Sequence, residues 1–357
     1  MTKRCVAFVA TMAAMIAFAG PAAAVTNSDA VNKRIAELYE LAKKDGEVVW
    51  YTTSREAYLK GLSAFWKKKF PDVKLTILRK NSPQLVQTIE AEVAAGKPRA
   101  DVFTASLAYI GAQFKQKGWY APHKPANFDR IDARFKDPDG HWLAQSMFLL
   151  LGAYNTNAIT DPKELPKTYK ELVDAKWKGK LLTAHPETSG SHTAFYGGIV
   201  SEKIEGGWSF IEKLGSQEMM FVKANAEAAR MVTAGERPVA VAVSSHNTLV
   251  ARAKGSPVDV FAYQDGVIVN MSPQGILKTA PHPNAAKLFS EWLFSDEGQE
   301  QFAVWGLQWP VVADVPGPKG APDLKTLKLI VPDLSFQISD EGREGFLKKF
   351  NAAMKRD

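Results

Sequence analysis

Two hydrophobic periods take turns along this chain. Residues 28–44 repeat apolar positions at helical spacing, and GEVVWYTT (46–53) then predicts a buried strand. In SREAYLKGLSAFWKKKF (54–70), Tyr58, Leu62, Phe65 and Trp66 share one helix face. VKLTILRK (73–80) predicts a second strand. SPQLVQTIEAEVAAG (82–96) predicts a helix that Ser82 caps, Pro83 begins and Gly96 stops. ADVFTAS (100–106) reads as a third strand and LAYIGAQFKQKG (107–118) as another helix. Strands that alternate with helices predict an α/β lobe with a largely parallel sheet.

The middle of the chain repeats the alternation. KGKLLTAHP, EMMFVKAN, RPVAVAVSS and PVDVFAYQ read as short strands, with helical patterns over 190–203, 206–214, 225–234 and 246–254. This is a second α/β lobe. HWLAQSMFLLLGAYNT (141–156) before it and GVIVNMSPQGILKTA (266–280) after it are extended apolar runs longer than an ordinary strand. They predict that the chain crosses between lobes twice, leaving a cleft between them. The expected division is 25–150 with 270–325 for the first lobe, and 151–269 with 326–357 for the second. PNAAKLFSEWLFSDEGQEQFAVWG (283–306) predicts a helical pair, WPVVADVPGPKGAPDL (309–324) a surface connection, and DEGREGFLKKFNAAMKR (340–356) a last helix.

Composition narrows the setting. The chain has 357 residues, 46% of them hydrophobic and 23% charged, enough to bury a sizeable core. Lys3 and Arg4, an apolar stretch and Ala22-Ala23-Ala24 predict an export signal over residues 1–24; a retained membrane anchor is the alternative. The single cysteine, Cys5, lies inside that signal, so the exported chain has no disulfide, thiolate nucleophile or cysteine metal site. The formal charge of +7 loses Lys3 and Arg4 with the signal and becomes +5. Lys67, Lys68 and Lys69 read as a solvated helix end. Nucleic acid is not expected as a partner of an exported protein, and the positive field favours anionic solutes.

In parallel α/β sheets, ligands gather at the carboxyl ends of strands. Here those ends carry Thr52-Thr53-Ser54-Arg55, Thr104-Ala105-Ser106, Thr188-Ser189-Gly190-Ser191-His192 and Ser244-Ser245-His246-Asn247. Each leads into a helix, whose free N–H groups favour an anion. Arg55 adds a guanidinium able to clamp a carboxylate or phosphate group. Taken singly, these serines and threonines also fit as helix caps, and His185, His192 and His246 as structural histidines. The candidate ligand contacts are Thr53, Ser54, Arg55, Ser106, Ser189, Gly190, Ser191, His192, Ser245 and His246. No catalytic residue and no metal ligand is assigned. An exported serine hydrolase is the competing chemistry, but the chain lacks G-x-S-x-G.

DPDGHW (137–142), YNT (154–156), TYKELVDAKWKGKL (168–181), AGERPVAVAVSS (234–245) and the run GVIVNMSPQGILKTAPHPNAAKLFSEWLFSDEGQEQFA (266–303) resemble the periplasmic solute-binding proteins of ABC importers. The branch is the one that includes ferric-ion, phosphonate, sugar-phosphate, thiamine and polyamine binders. The resemblance runs through nearly the whole exported chain. It implies the type II fold, with two α/β lobes joined by a two-strand hinge around an interlobe ligand cleft. It also implies an inner-membrane ABC permease as partner, no cofactor, a monomer and no enzymatic activity. Ferric members of the family hold their metal through a His, an acidic residue and a Tyr-Tyr pair. Those positions fall here at Ser54 or Arg55, at Ser106, and at Ser245 and His246. The change from acid and phenol to hydroxyl, imidazole and guanidinium reverses the preference from cation to anion. Asp265 and Glu187 are expected to reach the cleft, which leaves room for a solute with hydroxyl or amino groups as well. A phosphorylated, phosphonate or carboxylate solute is the expectation. A ferric carrier and a ligand-sensing receptor subunit remain alternatives.

Overall fold

The structure, a computed structural model, describes residues 27–355. The expected export signal over 1–24, Cys5 and Arg356 at the end of the expected last helix lie outside the described residues. Helix α1 (Asn27–Asp45) precedes β1 (Glu47–Thr52), α2 (Glu56–Lys69), β2 (Lys74–Arg79), α3 (Ser82–Ala94), β3 (Val102–Thr104), α4 (Tyr109–Gln116) and the short β4 (Tyr120–Ala121). The long strand β5 (Leu143–Asn155) leads to β6 (Leu181–Ala184), α5 (Gly190–Ser201), α6 (Trp208–Gly215), β7 (Met220–Val222), α7 (Asn225–Ala234), β8 (Val239–Ser244), α8 (Ser245–Ala253) and β9 (Val258–Phe261). The second long strand, β10 (Val267–Leu277), leads back to α9 (Pro283–Leu293) and α10 (Asp296–Gln301), and β11 (Leu329–Ile330) and α11 (Asp340–Ala353) close the chain.

The strands follow the order β2-β1-β3-β10-β5-β8-β6-β7, with β4 and β11 on β10 and β9 on β5. The sets β2-β1-β3 and β8-β6-β7 are each parallel, and β5 and β10 run antiparallel between them. Toward its end β10 pairs with β3, Gln274 opposite Thr104, while the end of β5 pairs with β8 and β9. These two strands are the over-long apolar runs. All 13 residues of β5 and all 11 of β10 are buried. Burial on both faces explains why neither run alternates.

Each half has its own core. In the first, Trp50, Trp66, Phe289 and Trp292 pack edge-on and tilted at centroid separations of 5.1–5.9 Å. In the second, Tyr169 stacks on Tyr263 at 4.2 Å, and Tyr196 packs against Phe350 of α11.

Two local expectations need correction. Ser82 does not cap α3: the Asn81 side chain accepts from the Gln84 N–H at 3.0 Å, and Ser82 Oγ instead accepts from the Ser106 N–H at 3.3 Å. The helical pair over 283–306 does not stay α-helical to its end. After α10 the chain widens into a π-turn over Phe302–Gly306 and stops at Leu307, which takes a left-handed φ of 52°. That turn aims the Gly306 carbonyl at Arg55.

Candidate functional site

The carboxyl ends of both parallel strand sets converge on one cleft of about 930 Å³ between the halves. Thr53, Ser54, Arg55 and Ser106 line it from the first half, and Gly190, Ser191 and His246 line it from the second. Ser189, His192 and Ser245 do not line it.

Arg55 is the N-cap residue of α2 and holds an extended backbone (φ −70°, ψ 145°), which turns its side chain out of the helix. Its Nη1 donates weakly to the Gly306 carbonyl at 3.4 Å. Among the described residues it has no carboxylate partner. Burial pulls its pKa below the usual guanidinium range. It is a cation that no lining carboxylate pairs with among the described residues, which favours an anionic guest.

His246 stands in the first turn of α8, 9% exposed, edge-on to Phe148 at 5.4 Å. Its Nδ1 has no hydrogen-bond partner among the described residues. Burial first and the Arg55 charge second pull its pKa down to about 3, so it is a neutral imidazole. A hydroxyl pair and a hydroxyl–amide pair complete the walls. Thr53 Oγ1 and Ser106 Oγ lie 2.6 Å apart, and Ser191 Oγ accepts from Asn225 Nδ2 at 3.1 Å. Asn225 Oδ1 accepts from the Ser244 N–H at 3.0 Å and from Asn247 Nδ2 at 2.9 Å. One amide at the start of α7 thereby ties together the starts of α5 and α8.

The three residues behind the wall have other tasks. His192 is fully buried, and its Nε2 donates to the Ala242 carbonyl at 3.0 Å while its Nδ1 accepts from Ser189 Oγ at 2.9 Å. This pins α5 to β8. Ser245 is fully buried, and its Oγ has no hydrogen-bond partner among the described residues. Of the two acids expected at the cleft, Glu187 lines it. Asp265 does not: its Oδ2 accepts from the Tyr169 N–H at 2.9 Å and holds a loop of the second half.

Several cleft residues escaped the sequence reading. Arg79 ends β2, Lys80 follows it and Asn225 follows β7, so the same rule reaches them. Gln145 and Ser272 are polar residues inside the two crossing strands, a signal present in the sequence. Gln308, Gln337 and Arg343 arrive through tertiary folding, and no local pattern marks them.

Asp137, Asp139 and His141 place possible metal-ligand atoms within 4.8 Å of one another. Lys115 Nζ already lies 2.6 Å from Asp137 and 2.8 Å from Asp139, and His141 Nδ1 lies 3.0 Å from Asp137. The cluster is an ion-paired turn with its cation supplied by the protein.

Comparison with known proteins gives the family. Residues 97–333 match the family model of the bacterial extracellular solute-binding proteins. An uncharacterized protein of Haemophilus influenzae is 26% identical over 318 residues, 87% of this chain and 91% of the relative. Iron uptake protein A1 of Synechocystis is 24% identical over 281 residues, 74% of either chain. Among solved structures, the periplasmic binding protein AfuA of Actinobacillus pleuropneumoniae, with fructose 6-phosphate bound, superposes with a TM-score of 0.71 at 25% identity, over 87% of this chain and 99% of that one. Iron-bound HitA of Pseudomonas aeruginosa superposes with a TM-score of 0.72 at 20% identity, over 86% and 99% of the two chains. With its two-lobed type II fold and a family match across most of its length, this chain belongs to the bacterial extracellular solute-binding proteins, the periplasmic substrate-binding components of ABC importers, which carry solutes and are not enzymes.

Proposed function

We propose that the solute is a small organic anion with a phosphate-type group, bound by closure of the lobes and passed to the membrane permease. The observation that carries this reading is Arg55, a partly buried guanidinium on the cleft wall that pairs with no carboxylate among the described residues. The rest of the lining agrees with it. Arg79, Lys80 and Arg343 are also cationic, and Glu187 is the one carboxylate among the described lining residues. A cleft of about 930 Å³ suits an organic ester better than a bare inorganic ion. Ser191, Asn225 and Asn247 give the opposite wall neutral donors and acceptors, which suit the hydroxyls of a polyol body. The bound fructose 6-phosphate of AfuA has this combination of groups.

In the proposed arrangement the lobes are 25–150 with 270–325 and 151–269 with 326–357, hinged on β5 and β10, and the carrier works as an exported monomer. Ferric iron is the second reading, favoured by the names of the Synechocystis relatives. Isothermal titration with fructose 6-phosphate and inorganic phosphate, with ferric ion as control, tests both. Reversible one-to-one phosphate-ester binding supports the proposal, and binding of ferric ion alone rejects it.

A further inference from the structure

A chain of buried hydrogen bonds runs from the first core to the cleft wall. It starts at the Trp50 indole, which can only donate and does so to Thr104 Oγ1 at 2.9 Å. Thr104 is fully buried, so its own proton needs a protein acceptor. Its acceptor is Gln145 Oε1, at 3.2 Å. With that oxygen committed, Gln145 Nε2 faces Ser54 Oγ and donates to it at 3.0 Å. A reversed amide would leave the Thr104 proton buried with no acceptor.

A second hydrogen bond enters Ser54 from Thr52. Thr52 Oγ1 accepts from the Ser54 N–H at 3.0 Å and lies 2.9 Å from Ser54 Oγ. Thr52 is fully buried as well, so its proton goes to Ser54. A hydroxyl has one proton and two lone pairs. Both lone pairs of Ser54 are then filled from within the protein, and its proton remains for the cleft it lines, beside Arg55.

We infer that Ser54 is an obligatory hydrogen-bond donor to the solute, and that the solute atom seated on it is an accepting oxygen, best supplied by an ionised oxyanion. The inference rests on the anion reading above and sharpens it. An amide N–H or ammonium of a solute would meet a donor at this place, and a solute hydroxyl fits only as an acceptor, with its own proton turned elsewhere. Gln145 is a positioning residue: it acts through Ser54, from the strand that crosses between the halves.

Neutron diffraction from a deuterated, solute-free crystal tests the relay without any ligand. The expected result is a deuteron on Ser54 Oγ directed into the cleft and the Gln145 ND₂ group facing Ser54. A deuteron shared with Gln145 Oε1, or a reversed amide, overturns the inference. Titration with fructose 6-phosphate tests its consequence. Ser54→Ala is expected to weaken binding about tenfold to a hundredfold, the loss of one charge-assisted donor. Gln145→Glu has only acceptors to offer and draws the Ser54 proton inward. Its added charge acts in either background, so its effect should be smaller in Ser54→Ala than in the parent. Equal effects in the two backgrounds, or full affinity in Ser54→Ala, overturn the inference. If the parent binds neither fructose 6-phosphate nor inorganic phosphate, the anion reading fails, and the neutron experiment still decides the Ser54 proton.

Discussion

Leu107 rests on the backbone of Gly190, so close that a β-carbon at residue 190 would overlap its Cδ2. Leu107 follows β3 in the first half, and Gly190 opens α5 in the second, so the contact crosses the cleft. Two more contacts join the same stretch to the other half. Arg343 lies over the Tyr109 ring at 5.2 Å, and Gln113 Nε2 donates to the Ile338 carbonyl at 3.3 Å.

Substitution at residue 190 should therefore act on closure. Gly190→Ala can be met by a new Leu107 rotamer, at a cost on the order of 1 kcal/mol, so a few-fold loss of affinity is expected. Gly190→Ile has no such escape and should lose tenfold or more with little change in melting temperature, because each core is untouched. Leu107→Ala should restore the alanine variant. Titration with fructose 6-phosphate measures the affinities, and small-angle scattering measures whether saturating solute still compacts the protein. Unchanged affinity in Gly190→Ile would remove this contact from closure.

Arg55→Ala should weaken an anionic solute by an order of magnitude or more, since charge-assisted bonds contribute roughly 1.5–3 kcal/mol. Arg55→Lys should recover only part of it, because an ammonium lacks the planar fork. The loss should shrink as salt rises, to the degree that solvent reaches the pair. A dissociation constant that ignores Arg55 would place the anion elsewhere.

The lobes were legible because a parallel sheet needs a helix between neighbouring strands, and the alternation writes that need into the sequence. The crossings were legible because β5 and β10 are apolar on both faces. The strand-end rule led to Thr53, Ser54, Arg55, Ser106, Gly190, Ser191 and His246, all on the cleft wall. It also gathered Ser189, His192 and Ser245, which are not on that wall. A helix turns its side chains about its axis, so the first turn of one helix sends some residues to the cleft and others to the core. His246 faces the cleft while its neighbour Ser245 is fully buried. No local pattern makes that choice, because it depends on how α8 lies against β5. Ser82 and Asn81 pose the same difficulty at smaller scale: two capping residues stand side by side, and only backbone geometry selects one.

Buried histidines give the fold a pH dependence. His192 and His123 are held at about 4 and His246 at about 3, in each case first by burial, against an ordinary value of 6.5. Their folded-state values are depressed, so the unfolded chain binds more protons between about pH 4 and 6.5. Stability should rise with pH through that window and be lost as pH falls below about 6.5, by roughly 3 kcal/mol for each such group. Thermal unfolding at pH 5 and 7 measures it, and His192→Gln should flatten part of the slope. His246 stays neutral throughout. The affinity for sulfate, whose charge is constant over this range, should therefore not increase between pH 8 and 5. A rise centred near pH 6.5 would mean that His246 becomes charged in the complex.

Ferric ion should give the protein no visible charge-transfer colour and no thermal protection. Such colour needs a phenolate on the metal, and Fe(III) prefers several hard anionic oxygens around it. The described lining offers one phenol, Tyr109, and one carboxylate, Glu187. Burial raises the pKa of Tyr109, which keeps it a phenol, and Arg343 lies over its ring. Arg55, Arg79 and Lys80 on the cleft wall repel a trivalent cation. Ferric citrate is a different guest, because the complex presents carboxylates to those cations. Citrate alone then serves as the control. Equal binding with and without iron assigns the affinity to the anion, whereas iron-dependent binding would show that the protein recognises the metal.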